Sequence, residues 1–336
     1  MQTDDTILSI AEAEELIADV LRASGAAEAA ARSVARALVA AEADGQAGHG
    51  FSRIAAYAAQ VRSGKVDGHA TPVVAARRGG MIAIDAASGF AYPAIDLAIE
   101  ELARLVPETG LAGAAIRRSH HCGQLGAHVE RLASRGLVAL MVANAPKAIA
   151  PWGGSAALFG TNPIAFAAPR ARGEPLVIDL SLSKVARGKV MAAAKAGQQI
   201  PEGWALDREG RPTTDPRAAL EGTMIPMGDA KGAALALIVE ILSATLTGAN
   251  HSFEASSFFD AEGPPPGVGQ LILAFDPGVT APDFCDRIEV LLGAILAQDG
   301  TRLPGTRRLA ARERARSEGL RMPAHLMAEI AQLRAG

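Results

Sequence analysis

His49 and Arg53 stand four residues apart, and Tyr57 follows four residues later. If a helix begins near His49, the three side chains recur on one face. An imidazole that titrates near neutrality, next to a guanidinium, suits an enzyme acting on a carboxylate. The Arg would hold the carboxylate through two hydrogen bonds. The His would give or take the proton at the adjoining carbonyl or imine. The same spacing also fits a helix start with a capping His and a surface Arg, and spacing alone leaves both open.

A second group runs Ser119-His120-His121-Cys122-Gly123-Gln124-Leu125-Gly126, with His128 beyond. His121 and His128 are spaced to share a helix face, and His with Cys invites a metal reading. No second Cys/His pair completes a four-ligand site, so no metal is predicted. Cys122 reads as a nucleophile or as a buried thiol after a strand. A strand-to-helix turn of small residues more often approaches a ligand. Further along, Gly160-Thr161-Asn162-Pro163 is a tight turn whose Thr and Asn could offer donors to a substrate or simply shape the turn. Asp179-Leu180-Ser181-Leu182-Ser183-Lys184 ends a strand before a helix, where N–H groups and hydroxyls suit phosphate. Lys231, between Gly228 and Gly232, opens another helix and reads as a phosphate or ribose contact or as a solvated Lys.

These residues need elements to hold them. Ser9 and Glu12 have capping-box spacing before a helix carrying Leu16, Ile17, Val20 and Leu21. A second helix is predicted over 26–44. Glycines around His49 interrupt the pattern, and helical spacing resumes from Phe51 to Val61. From residue 80 the period changes. Strands are predicted at 81–85, 111–116, 137–142, 164–168, 176–180 and 271–275. Helices are predicted at 92–106, 125–134, 231–246, 284–296 and 323–333. The fold class is mixed α/β: a helical part over 1–78, a central mixed-sheet part over 79–275, and a helical tail over 276–336 that returns to the first.

Composition narrows the function classes. The 336 residues carry a net charge of −3, with 49% hydrophobic and 21% charged side chains, enough to bury a large core. No basic face for nucleic acid follows from that balance, and 4% aromatics gives no stacking platform. No apolar run reaches the roughly 18 residues of a membrane span. Residues 1–5 are polar and acidic, unlike a signal peptide. Cys122 and Cys285 lie far apart, which fits a reducing cytoplasm. Of the 33 cationic side chains only six are Lys. Neither G-x-G-x-x-G after a strand nor G-x-x-x-x-G-K-[ST] occurs.

Taken in order, the groups resemble the malate/L-lactate dehydrogenase type-2 family, NAD(P)-dependent oxidoreductases unrelated to the Rossmann-type enzymes. The resemblance covers nearly the whole chain. It rests on His49-Gly50 with Arg53 and Tyr57, His121 with Gly123, and Gly160-Thr161-Asn162-Pro163. It continues through Asp179 to Ser183, Ile200-Pro201, Gly203-Trp204-Ala205, Lys231-Gly232 and Pro304-Gly305. The absent glycine fingerprint is then expected, and the resemblance implies a non-Rossmann cofactor domain and a homodimer with its site near the subunit contact. It implies His49 as general acid/base, and Arg53, Tyr57, His121 and Thr161 as substrate residues. It implies His121, Gly123, Asn162, Asp179, Leu180, Ser181, Leu182, Ser183, Lys231, Gly305, Thr306 and Arg307 as contacts of NAD or NADP.

Two departures shape the substrate expectation. Gly48 stands where the family usually has Ser, which removes a hydroxyl. The family's Asn-His-Phe-Gly reads His120-His121-Cys122-Gly123, similar to the branch that reduces Δ1-piperideine-2-carboxylate and Δ1-pyrroline-2-carboxylate, whereas Gly123-Gln124-Leu125-Gly126 is closer to the hydroxy-acid branch. The expected reaction is hydride transfer between nicotinamide and C2 of a small 2-hydroxy or 2-oxo acid of malate, lactate or sulfolactate type. The alternative is reduction of cyclic imino acids; a degraded binding protein on the same fold is the third reading. Arg170, Arg172, Arg187 and Arg307 are all candidates for a 2′-phosphate.

Overall fold

The computed structural model describes residues 5–335. The leader expectation for residues 1–5 therefore lies, apart from Asp5, outside the described residues. A short strand β1 (Thr6–Leu8) leads into α1 (Ile10–Ala23). The capping box at its start is complete: Ser9 Oγ accepts from the Glu12 N–H at 3.2 Å, and Glu12 Oε2 accepts from the Ser9 N–H at 2.8 Å. α2 (Glu28–Ala43) packs its Ala31, Val34, Ala35 and Leu38 against Ile17, Val20 and Leu21 of α1.

The helix expected to begin near His49 is broken. One 3-10 turn covers Ala47–His49, Gly50 leaves the helical range at φ −104° and ψ −129°, and a second 3-10 turn covers Phe51–Arg53 before α3 (Ile54–Arg62). His49, Arg53 and Tyr57 thus do not share one helix face.

The sheet strands are β2 (Val73–Arg78), β3 (Met81–Asp85), β4 (Leu111–Ser119), β5 (Val138–Ala143), β6 (Ile164–Ala168) and β7 (Leu176–Leu180), with α4 (Ala91–Thr109) after β3 and α5 (Leu125–Ala133) after β4. An excursion follows: α6 (Arg187–Ala196), β8 (Ala205–Leu206), β9 (Pro212–Thr213), α7 (Pro216–Glu221) and β10 (Thr223–Met224). Its three strands form a small sheet of order β10-β8-β9. α8 (Asp229–Glu240) then runs on as a π-helical turn over Ile241–Thr245, where an unbroken α-helix over 231–246 is predicted.

β11 (Val268–Phe275) returns to the middle of the main sheet, whose order is β2-β3-β4-β11-β5-β6-β7. Only β3 and β4 pair in parallel, as expected of strands joined by a helix; every other neighbour is antiparallel. The sheet is mixed and not doubly wound. Alternation along each strand divides the two faces. Ala112, Ala114 and Ile116 of β4 and Ile272 and Ala274 of β11 face α4 and α5, while Ala115 and Leu271 face α8 and the excursion.

The tail adds α9 (Phe284–Leu296), α10 (Thr306–Glu318), β12 (Leu320–Met322) and α11 (Ala324–Ala335). β12 pairs antiparallel with β1, Thr6 opposite Met322, and Leu320, Met322 and Ile330 join the core of α1 to α3. β1, β2, β12 and α10 are elements the sequence reading does not contain.

Candidate active site

The two histidine-bearing turns meet between the helical head and the β4–α5 junction. His49 Nδ1 lies 3.2 Å from His121 Nε2, and the rings stack at 5.2 Å with planes 15° apart. The other nitrogen of His121, Nδ1, is 2.5 Å from the Tyr57 hydroxyl, which is 3.1 Å from the Tyr92 hydroxyl. Phe258 packs against both His120 and His121. His49 and Tyr57 therefore do converge, as their pairing in sequence suggests. They do so on opposite ends of one imidazole, not along a helix.

Local backbone sets this up. The Glu42 carboxylate accepts from the Phe51 N–H at 2.9 Å and lies so close to Gly50 that a Cβ there would overlap it. This contact folds the chain sharply after His49. On the other side, Gly123 has φ +67°, and a Cβ there would stand 2.8 Å from the Tyr92 hydroxyl. Only glycine suits both the backbone and the close approach.

Burial governs the titration. Burial, then the nearby Arg53 charge, lowers the His49 imidazole to about 4. Burial and Arg53 push His121 well below its usual range. Burial raises the phenols of Tyr57 and Tyr92. At neutral pH the chain is accordingly neutral imidazole–imidazole–phenol. Two complementary sets of hydrogen-bond directions satisfy it. In one, Tyr57 donates to His121, His121 donates to His49, and His49 Nε2 carries a proton. In the other, every direction reverses and Nε2 is a bare acceptor. Among the described residues Nε2 has no protein partner, so the chain ends in a nitrogen that, according to the arrangement, carries a proton to give or a lone pair to take one.

Arg53 donates from Nε to the Gly48 carbonyl at 2.7 Å, and its guanidinium sits 4.5 Å from the centre of the Phe259 ring. No carboxylate among the described residues pairs with it, which leaves its fork for an anion. The Thr161 carbonyl accepts from the Leu182 N–H at 2.8 Å. Asn162 is buried at φ +40°, and its amide donates inward to the Ala236 carbonyl and the Glu240 carboxylate at 2.9 and 2.8 Å. Its side chain thus braces the turn against α8, so any cofactor contact there falls to the backbone. Asp179 Oδ2 accepts from the Gly126 N–H at 2.7 Å in the first turn of α5, and burial raises its carboxyl. Leu180 is exposed, Leu182 fully buried. The Ser181 and Ser183 hydroxyls lie 3.2 Å apart, and Ser183 donates to the Val185 carbonyl. Lys231 is exposed in the first turn of α8. Gly305 precedes α10, and a Cβ there would lie 3.5 Å from the Val177 carbonyl of β7, so this segment lies against the strand that carries Asp179. Thr306 Oγ1 donates to the Leu303 carbonyl, and Arg307 is exposed.

The arginines sort themselves. Arg170 is engaged by Glu289 through two bonds of 2.9 and 2.8 Å. Arg187 is half-buried at the start of α6, bonded among the described residues only to the Leu220 carbonyl at 3.1 Å, and burial lowers its guanidinium. An anion is the group such an arginine lacks.

His128 does not join His121 on a helix face. His121 precedes α5, and His128 Nε2 is 2.8 Å from the Cys122 carbonyl. Among the described residues no three His, Cys, Asp or Glu side chains gather as metal ligands. Burial raises the Cys122 thiol to about 12, against a nucleophilic role at neutral pH. Two features of position escaped the sequence reading. His120, named there only as the partner of His121 in a motif, is buried among Tyr57, Phe90 and Phe258, and neither of its ring nitrogens has a hydrogen-bond partner among the described residues. A charged cluster joins Asp44, Glu130, Arg308 and Arg312. No local pattern signals either.

The family model for malate/L-lactate dehydrogenase matches residues 8–331. The chain belongs to that family. It is 56% identical over 326 residues to a (2R)-3-sulfolactate dehydrogenase (NADP(+)) of Chromohalobacter salexigens, covering 96% of this chain and 97% of the relative. It is 44% identical over 315 residues to a Δ1-pyrroline-2-carboxylate/Δ1-piperideine-2-carboxylate reductase of Pseudomonas putida, covering 92% and 91%. The crystal structure of the Δ1-piperideine-2-carboxylate reductase from Pseudomonas syringae superposes with a TM-score of 0.93 at 38% identity, over 98% and 99% of the two chains. The protein is thus an oxidoreductase of the NAD(P)-dependent dehydrogenase and reductase class, as the resemblance implies. No helix among the described residues is long and apolar enough to cross a membrane.

Proposed function

We propose that the protein interconverts a small 2-hydroxy acid of 3-sulfolactate type and its 2-oxo acid, with NADP as hydride carrier. The observation that carries the reading is the neutral His49–His121–Tyr57 chain ending on His49 Nε2, beside Arg53: among the described residues Nε2 has no protein partner and Arg53 no carboxylate. The identity to the sulfolactate enzyme over nearly the full length supports the substrate class.

The nicotinamide supplies and receives hydride when bound. The residues around its expected place fit a dinucleotide phosphate: the Ser181 hydroxyl, Lys231, and Arg187 without a carboxylate partner. Asp179, Ser183, Gly123 and the segment Gly305-Thr306-Arg307 complete the holding set. Arg53 orients the substrate carboxylate, and His121 and Thr161 line its pocket. His49 Nε2 donates its proton to the oxygen that becomes the hydroxyl, Nδ1 takes one from His121, His121 takes one from Tyr57, and a proton from solvent makes good the one that Tyr57 gives up. In the oxidative direction each bond reverses.

The second reading, reduction of a cyclic imino acid, is favoured by the paired His120-His121 and by the reductase relatives. A screen with NADPH and NADH against sulfopyruvate, pyruvate, oxaloacetate, Δ1-piperideine-2-carboxylate and Δ1-pyrroline-2-carboxylate separates the two. Sulfopyruvate with NADPH should give the highest kcat/KM. Turnover confined to the cyclic imines would replace the first reading with the second.

A homodimer completes the proposal. Leu237, Ile238 and Ile241 are about half-exposed in succession along α8 and its π turn, with Leu246 just beyond. Such a ridge suits a second copy of the chain, which light scattering would reveal as twice the monomer mass. A cytoplasmic location is consistent with two free cysteines.

A further inference from the structure

We propose that Arg308 and Arg312 of α10 are positioning residues for the histidine pair. Closed on Asp44 and Glu130, they fix the turn that carries His49 against the turn that carries His121. The proposal rests on the reading of His49 as the acid/base.

The geometry is a closed four-member cluster. Arg312 reaches Asp44 from Nε and Nη2 at 2.8 and 3.0 Å, and reaches Glu130 from Nη1 and Nη2 at 3.2 and 2.8 Å. Arg308 holds Glu130 through two bonds of 2.8 and 3.0 Å and approaches Asp44 at 3.5 Å. The Asp44 side chain is wholly inaccessible to solvent, and those of Glu130 and Arg308 are 10% exposed. Two charges of each sign cancel.

The cluster's place in the chain gives it a role. Asp44 is the residue after α2, five before His49, and Gly45 next to it would bring a Cβ within 3.4 Å of the Ala311 methyl of α10. Gln124, three residues after His121, donates its amide to Asp44 at 3.1 Å, and Glu130 belongs to the helix that Gln124 caps. Both turns are therefore anchored to the same two guanidinium groups. Glu42 fixes the far side of the His49 turn through Phe51. Helix α10 presents Arg308 and Arg312 at i and i+4, on one face. A buried network of this kind specifies one arrangement of its neighbours, since any other strands a charge. A 3.2 Å contact between two rings on separate turns depends on such a constraint.

Arg312→Gln tests this with sulfopyruvate and NADPH and, without any substrate, by NMR titration of the His49 ring. A loosened pair should cost up to about a hundredfold in kcat, as small misplacements do, with KM changed less than about threefold. The His49 titration should rise toward the ordinary range of about 6.5 as water enters. If Arg312→Gln does not fold, Arg312→Lys, which keeps the charge and loses the fork, is measured in the same way. Arg22→Gln breaks an ion cluster with Glu15, Asp19 and Glu28 and should leave kcat and the His49 titration unchanged. A folded Arg312 variant with wild-type kcat and wild-type His49 titration overturns the proposal. Failure of the underlying reading looks different: His49→Ala would then keep its turnover.

Discussion

His49 has one ring nitrogen committed to His121 and one free, and its chemistry follows from that division. Replacing it with Ala removes the terminal donor, and kcat should fall by about 10²–10⁴, the usual worth of a general acid or base. Tyr57→Phe leaves the imidazoles stacked but removes the hydroxyl that replenishes them. It should lower kcat by a smaller factor and leave KM near its original value. The pH profile carries a second test. Oxidation needs His49 neutral, and its pKa is lowered to about 4 by burial. The acidic limb of kcat for hydroxy-acid oxidation should therefore lie near pH 4, with a plateau through pH 6. A limb near 6.5 would mean that water reaches the ring in the working enzyme.

At the level of elements, the turn after β4 does the most exacting work. Gly123→Ala puts a methyl against the Tyr92 hydroxyl at a left-handed backbone position. Strain of about 1–2 kcal/mol is expected from the backbone alone, visible as a lower urea midpoint, together with a fall in kcat because Tyr92 touches Tyr57. Much of this level can be read from residues. The capping box at Ser9 and Glu12 is local chemistry, and the strands Met81–Asp85, Ile164–Ala168 and Leu176–Leu180 declare themselves by short apolar runs between turn residues. α10 does not, because it is held by charge: among its side chains only Ala315 is buried. A helix tied through Arg308 and Arg312 to Asp44 and Glu130 has no apolar stripe to detect. β1 and β12 are three residues each, and their pairing is visible only once both ends of the described chain are in place. The break at Gly50 is likewise dictated by Glu42, a residue on another element. For the site, residue types nominated His49, Tyr57 and His121, but their meeting on one imidazole is a tertiary fact.

Across the whole molecule, four histidines, His49, His120, His121 and His128, are kept neutral. Burial lowers His120 to about 3 and His49 and His128 to about 4, and His121 well below its usual range. In the unfolded chain each protonates near pH 6.5. Because the folded values are depressed, their contribution is complete above about pH 6.5 and is lost as pH falls toward 4 and below. Each group removes about 1.4 kcal/mol per pH unit through that window. Urea midpoints at pH 7.5, 6 and 5 should decline progressively, and a constant midpoint would show that the folded protein takes up these protons. The pairing of Thr6 with Met322 carries a consequence for biosynthesis. The head's core is missing Leu320, Met322 and Ile330 until those residues have been made. An emerging chain can assemble its central sheet as soon as β11 is out, but the core of its first helices is completed only by residues about 300 positions later. A chain cut short just before α10 would thus keep all seven strands of the central sheet and lack both the closing strand β12 and the clamp on the histidines.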